Sequence, residues 1–239
     1  MLQQQFMQGS SLAQQGMMLE ASGNVAGAAQ CYNDASMLLS QCLVAAQQFQ
    51  VPIGDQGWFS LAWCHFNAAR TQTMLGWGAM APAHLMQAHN ALNNALTLNP
   101  SFGPYHAAMG VLLATEGQSL LAMQAFSNAV RLNPADAFSQ YMLAILNQAQ
   151  GNVAAGNQHF VVAQQYAPNL PPPQQTMQAH GGGGKGFDWN GLVSTVGEVF
   201  KAVNSVSSLF SNAQGQSQQA WPGGGAWGGG QFGGGGFGW

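Results

Sequence analysis

Residues 88–100 read AHNALNNALTLNP, residues 122–134 read AMQAFSNAVRLNP, and residues 156–168 read GNQHFVVAQQYAP. Each stretch ends in a proline, and Pro100, Pro134 and Pro168 are spaced 34 residues apart. Five positions before each proline stands an alanine (Ala95, Ala129, Ala163), and eight before stands a large apolar residue (Leu92, Phe126, Phe160). Twelve before is a small residue (Ala88, Ala122, Gly156), and twenty-four before is another (Gly76, Gly110, Ala144). A period of this length with small and large apolar residues in fixed register is the mark of stacked supersecondary units. Small residues let helix backbones approach where they cross, and the ring or Leu fills the space beside them. Proline ends a helix because it has no N–H to donate and restricts the residue before it. The register predicts that Ala95, Ala129 and Ala163 are buried at helix crossings.

This pattern resembles the tetratricopeptide repeat (TPR) family, a 34-residue helix–turn–helix unit. The units read as 69–102, 103–136 and 137–170. Gly117 and Gly151 fall where the turn between paired helices needs a permissive backbone. The first unit departs from this, with Ala83 at the turn and Pro82 before it. A degenerate fourth unit over about 9–42 repeats the offsets through Gly16, Gly23, Ala28, Tyr32 and Ala35. Its second helix runs on through Leu38, Leu39, Leu43 and Val44 to about Gln50, where the loop 51–57 breaks it. Another long helix starts near Trp58 and runs into the first regular unit. The expected fold is all-α, a TPR-type helical-repeat solenoid with an extra C-terminal helix and a Gly/aromatic tail.

Leu170-Pro171-Pro172-Pro173 stops the array. The organisation that follows is an N-terminal TPR-like pair in 1–57, three regular units in 58–170, and a Pro/Gly linker over 171–187. Beyond these lie an amphipathic helix over 188–212 and a low-complexity Gln/Gly/aromatic tail over 213–239. Leu192, Val196, Val199, Val203, Val206 and Phe210 make the apolar stripe of that helix. The tail has no core-forming pattern of its own.

Lys and Arg number 4 and Asp and Glu 7, for a net charge of -3; charged residues are 5% of the chain. Typical soluble domains carry roughly 25%. Gln fills much of the vacated surface. Arg70, Arg131, Lys185 and Lys201 are too few to follow a phosphate backbone, which argues against nucleic acid as a partner. No run of about 20 apolar residues is present, so no transmembrane segment is expected. The N-terminus lacks the basic start and apolar core of a signal peptide. That leaves the compartment open: cytoplasmic, or extracellular if exported by another route. Cys31, Cys42 and Cys64 have no CxxC spacing and read as small helix-packing thiols.

Chemistry-bearing residues do not converge in the sequence. His84 and His89 are five apart, off a common helix face, and His65, His106, His159 and His180 are scattered. The acids Glu20, Asp34, Asp55, Glu116, Asp136, Asp188 and Glu198 fall about one to an element. Gly181–Lys185 is not followed by Ser or Thr and so is not a phosphate loop. Neither catalytic residues, nor a metal site, nor a cofactor is expected, and the chain reads as a non-enzymatic interaction protein.

In the TPR family partners lie along a concave face lined by the first helix of each unit. Carried over by position, the resemblance implies a protein-binding groove of Met17 and Glu20; Arg70, Thr73, Trp77 and Met80; Ala107, Val111 and Ala114; and Phe138, Tyr141, Ile145 and Gln148. The family's clamp for acidic C-terminal peptides needs several basic groups, and only Arg70 is available. What remains is an apolar, aromatic and Met-lined trough. The tail supplies uncharged aromatic anchors for such a trough: Trp221, Trp227, Phe232, Phe237 and Trp239. The expected partner is therefore another copy of the chain, in a homo-oligomer or filament. The alternative is a monomeric adaptor that binds an apolar segment of another protein.

Overall fold

The computed structural model describes residues 2–180. The helix expected over 188–212 and the tail over 213–239 lie outside the described residues. Among the described residues there are nine α-helices: α1 (Leu2–Ala21), α2 (Val25–Gln48), α3 (Asp55–Met74), α4 (Ala81–Leu98), α5 (Gly103–Thr115), α6 (Ser119–Leu132), α7 (Ala137–Ala149), α8 (Val153–Tyr166) and α9 (Pro173–Ala179). They pack as consecutive hairpins, α1 with α2, α3 with α4, α5 with α6 and α7 with α8. The described residues fall into two compact units, 2–100 and 101–180.

Each hairpin turns on a glycine in the left-handed region: Gly23, Gly76, Gly117 and Gly151, with φ of 82°, 74°, 76° and 84°. The same two hydrogen bonds recur at each. Gly117 N–H donates to Ala114 O (2.9 Å) and Gln118 N–H to Leu113 O (2.8 Å), and Gly23, Gly76 and Gly151 repeat the arrangement. This is a Schellman turn, in which glycine avoids the steric cost that a Cβ carries at positive φ. No atom lies within 4 Å of a Cβ built on any of the four, so backbone conformation and not packing selects glycine there.

The second helices end alike. Asn99, Asn133 and Ala167 leave the helix at φ of about −140° and donate to the carbonyls of Ala95, Ala129 and Ala163. The following proline excludes the helical conformation for the residue before it. Ala95, Ala129 and Ala163 are fully buried, as the repeat register requires. Glycine also permits the closest ring contacts. A Cβ on Gly110 would stand 2.7 Å from the Phe126 ring, and one on Gly16 would stand 3.0 Å from the Tyr32 ring.

Two boundaries differ from the sequence expectation. The first regular unit does not run over 69–102 with its turn at Ala83. Its turn is at Gly76, which is therefore not a crossing residue like Gly110. Pro82 lies in the first turn of α4, where its missing N–H has no helical partner to lose. The pair is α3 with α4, both longer than the helices after them. The second difference is at 171–187, expected as linker, where α9 forms at its N-terminal end and packs on α7. Tyr141 Oη donates to Pro171 O (2.8 Å) and lies 2.6 Å from Thr176 Oγ1. The single phenolic proton goes to the carbonyl, so Thr176 donates to Tyr141.

Candidate functional site

In the first unit the expected groove residues separate into interior and surface groups. Arg70 on α3 is turned inward. Its Nη2 lies 2.6 Å from Glu20 Oε1 and 2.7 Å from Oε2, and donates to Asn67 Oδ1 at 3.0 Å. Tyr32 on α2 donates from its hydroxyl to Glu20 Oε2 at 3.2 Å. The Arg70 side chain retains 9% of its exposure and Glu20 23%. Burial, with the Glu20 carboxylate next, pushes the Tyr32 hydroxyl far above its ordinary range. Arg70, expected to face a partner, is thus committed to an ion pair joining α1 to α3. Met17 is half-buried against the core formed by Ala28, Tyr32 and Ala68.

The surface group lies at the end of the α3–α4 hairpin. Thr73 is exposed, with its hydroxyl donating to Ala69 O at 2.8 Å. Trp77 and Met80 are exposed at 58% and 60%, and Met74 joins them at 51%. The Schellman turn at Gly76 places Trp77 outside both helices, and Met80 ends the short 3-10 turn Gly78–Met80.

The second unit closes most of the surface expected of it. Tyr141 and Ile145 have no exposed area, and Ala107, Ala114 and Gln148 are buried. Tyr141 is held beneath α9, so Tyr141 and Ile145 belong to the core and not to an open trough. Burial raises the pKa of the Tyr141 hydroxyl, while its bond with Thr176 lowers it. Phe138 is half-buried, its ring 6.1 Å from that of Phe126 in an edge-on arrangement, and Val111 is half-buried. Asp136 caps α7 by accepting from Ser139 N–H at 3.3 Å, and burial raises its carboxyl pKa.

The fold brings together one pair that the sequence left scattered. His65 Nδ1 on α3 faces His84 Nδ1 on α4 at 2.9 Å. Ser40 Oγ lies 3.5 Å from His65 Nε2, and Gln72 Nε2 lies 3.4 Å from His84 Nε2. Antiparallel helices bring together residues at similar distances from their turn, and these two flank the turn near Gly76. A turn placed at Ala83 leaves His84 beside it and His65 far down the preceding helix, which is why the pairing was not legible. Burial, with the neighbouring His84, pushes the pKa of His65 down to about 4, and burial lowers that of His84. Among the described residues no three His, Cys, Asp or Glu side chains gather as a metal-binding group. Cys64 is buried and its thiol is pushed up to about 12.

No family model matches the chain. No curated protein matches its sequence. Among solved structures, a crystal structure of MamA is 14% identical, covering 63% of this chain and 92% of that one at a TM-score of 0.37. TTC0263, a thermophilic TPR protein of Thermus thermophilus, is 18% identical, covering 67% and 92% at a TM-score of 0.43. Another crystal structure of MamA protein is 12% identical, covering 73% and 96% at 0.35. With likeness of this degree, the fold is carried by the four glycine-turned hairpins and by the 34-residue register in which the last three of them end. The described chain is a TPR-type helical repeat. Among the described residues no helix is long and apolar enough to cross a membrane.

Proposed function

We propose that this TPR-type chain is a non-enzymatic protein-binding subunit that associates with copies of itself. The tail anchors Trp221, Trp227, Phe232, Phe237 and Trp239 of one copy seat on the Met74–Trp77–Met80 surface of another. The observation that carries the reading is that surface: three large apolar side chains, each more than half exposed, contributed by one hairpin end. An aromatic side chain flanked by flexible methionines is an adaptable apolar docking surface. Only 11 formal charges in 239 residues leave little repulsion to hold copies apart. A contact between one copy's tail and another's hairpin is heterologous and propagates into a ring or filament.

The test is light scattering on the full chain, on a chain lacking residues 220–239, and on Trp77→Ser, across a concentration series. Trp77 is mostly in solvent, so the substitution leaves the hairpin folded. The reading expects the intact chain to associate in low and high salt alike, because the contact is apolar. Both variants stay monomeric at concentrations where it assembles. Truncated protein that assembles as well as the intact chain refutes the tail as connector. An intact chain that is monomeric throughout points to the adaptor that binds an apolar segment of another protein.

A further inference from the structure

We propose that His65 and His84 form an acid-released latch that closes the α3–α4 hairpin of the first unit. The two imidazoles meet through their δ nitrogens at 2.9 Å, a distance that admits one proton between them. In the neutral pair, His84 Nδ1–H donates to His65 Nδ1. His65 Nε2–H then points at Ser40 Oγ on α2, and His84 Nε2 accepts from Gln72 on α3. Reversing every donor in the chain also works, because the buried Gln72 Oε1, which has no hydrogen-bond partner, can turn to accept from His84 Nε2–H. The two imidazoles are therefore bonded to each other in either sense, and the neutral latch joins side chains from three helices.

Protons undo it. The first introduces a charge into a half-buried polar chain with no carboxylate in it. The acids of this unit are engaged elsewhere: Glu20 with Arg70, Asp34 with Gln30 (2.8 Å) and Asp55 with Asn99 (3.0 Å). The remaining titratable groups of α2, α3 and α4 are Cys31, Tyr32, Cys42, Cys64, Arg70 and His89. Cys42 donates to Leu2 O at 3.3 Å. The charge that acts on His65 is that of His84, of like sign. A second proton sets two N–H groups head to head. The folded pair holds protons more weakly than the opened one, so stability is complete above the ordinary histidine value of 6.5. It is lost as pH falls from there toward about 4. With those two values, the opening equilibrium of the hairpin rises roughly thirty-fold between pH 7.5 and pH 5.0.

The experiment uses the full chain. Histidine ring signals followed by NMR report the titration of each imidazole, and amide hydrogen exchange, corrected for intrinsic rate, reports opening of α3 and α4. His65 is expected to titrate well below 6.5 and His84 below its ordinary value, with α3–α4 protection falling at least tenfold from pH 7.5 to pH 5.0. His159 in the other unit, bonded to Gln140 Oε1 at 2.7 Å, also has a lowered pKa, so His65→Gln/His84→Gln serves to isolate the pair. That variant should remove the fall in α3–α4 protection. Rings that titrate independently near 6.5, or protection in the native chain that is equal at both pH values, would overturn the latch. If the double variant does not fold, the ring titration of the native chain decides alone.

Discussion

Replacing Glu20 with methionine tests whether Arg70 belongs to the interior or to a binding surface. Arg70 keeps 9% of its side-chain exposure and is bonded to both Glu20 oxygens and to Asn67 Oδ1. Removing one partner of a buried ion pair costs about 3–5 kcal/mol, because the other charge remains desolvated. Glu20 is 23% exposed, so water can reach part of the vacated site, and the expected cost falls to about 2–3 kcal/mol. Glu20→Met/Arg70→Met removes both charges and should cost only about 1 kcal/mol, mainly for the buried Tyr32 hydroxyl left without its acceptor. The coupling between the sites is then about 2 kcal/mol or more, far above that of an exposed pair. Urea unfolding of the native chain, both single variants and the double variant completes the cycle. A cost below about 0.5 kcal/mol for Glu20→Met would refute the reasoning. It would make the pair a surface contact and return Arg70 to the residues available to a partner.

Gly110→Ala should destabilise by about 1–2 kcal/mol in thermal unfolding: the Phe126 ring is fully buried and would sit 2.7 Å from the new methyl, which outweighs the helix-propensity gain of roughly 1 kcal/mol. Gly117→Ala should cost about 1 kcal/mol for a different reason, positive φ in open space, and Gly117→Asn should recover part of it. Tyr141→Phe should cost about 1–2 kcal/mol and raise hydrogen exchange in 171–180 while α8 stays protected, because the lost hydroxyl bonds join α7 to Pro171 and Thr176. With a thiol reagent at neutral pH, Cys31 should react first, and Cys64 only when the first unit unfolds, because it is buried and its pKa is pushed up to about 12.

The sequence alone determined the features whose causes are local or strictly periodic. Pro100, Pro134 and Pro168 end helices by covalent geometry, and Ala95, Ala129 and Ala163 lie at the crossings because the 34-residue period repeats one packing solution. Gly117 and Gly151 were legible as turns for the same reason. Tertiary structure decided what depended on where the longer N-terminal hairpins turn. Gly76 could be a crossing residue or a turn residue, since a crossing takes a small residue such as Gly110 or Ala144 and a turn takes glycine. Only the backbone, at φ of 74°, distinguishes them. That choice moved Trp77 and Met80 out to a hairpin end and brought His65 opposite His84. Tertiary structure likewise turned Arg70 inward to Glu20, 50 residues away, and buried Tyr141 and Ile145, with α9 packed on α7. A first-helix position in a repeat has the same periodicity whether its side chain meets solvent, an ion-pair partner or a returning segment of the chain. Burial there depends on contacts that periodicity does not encode.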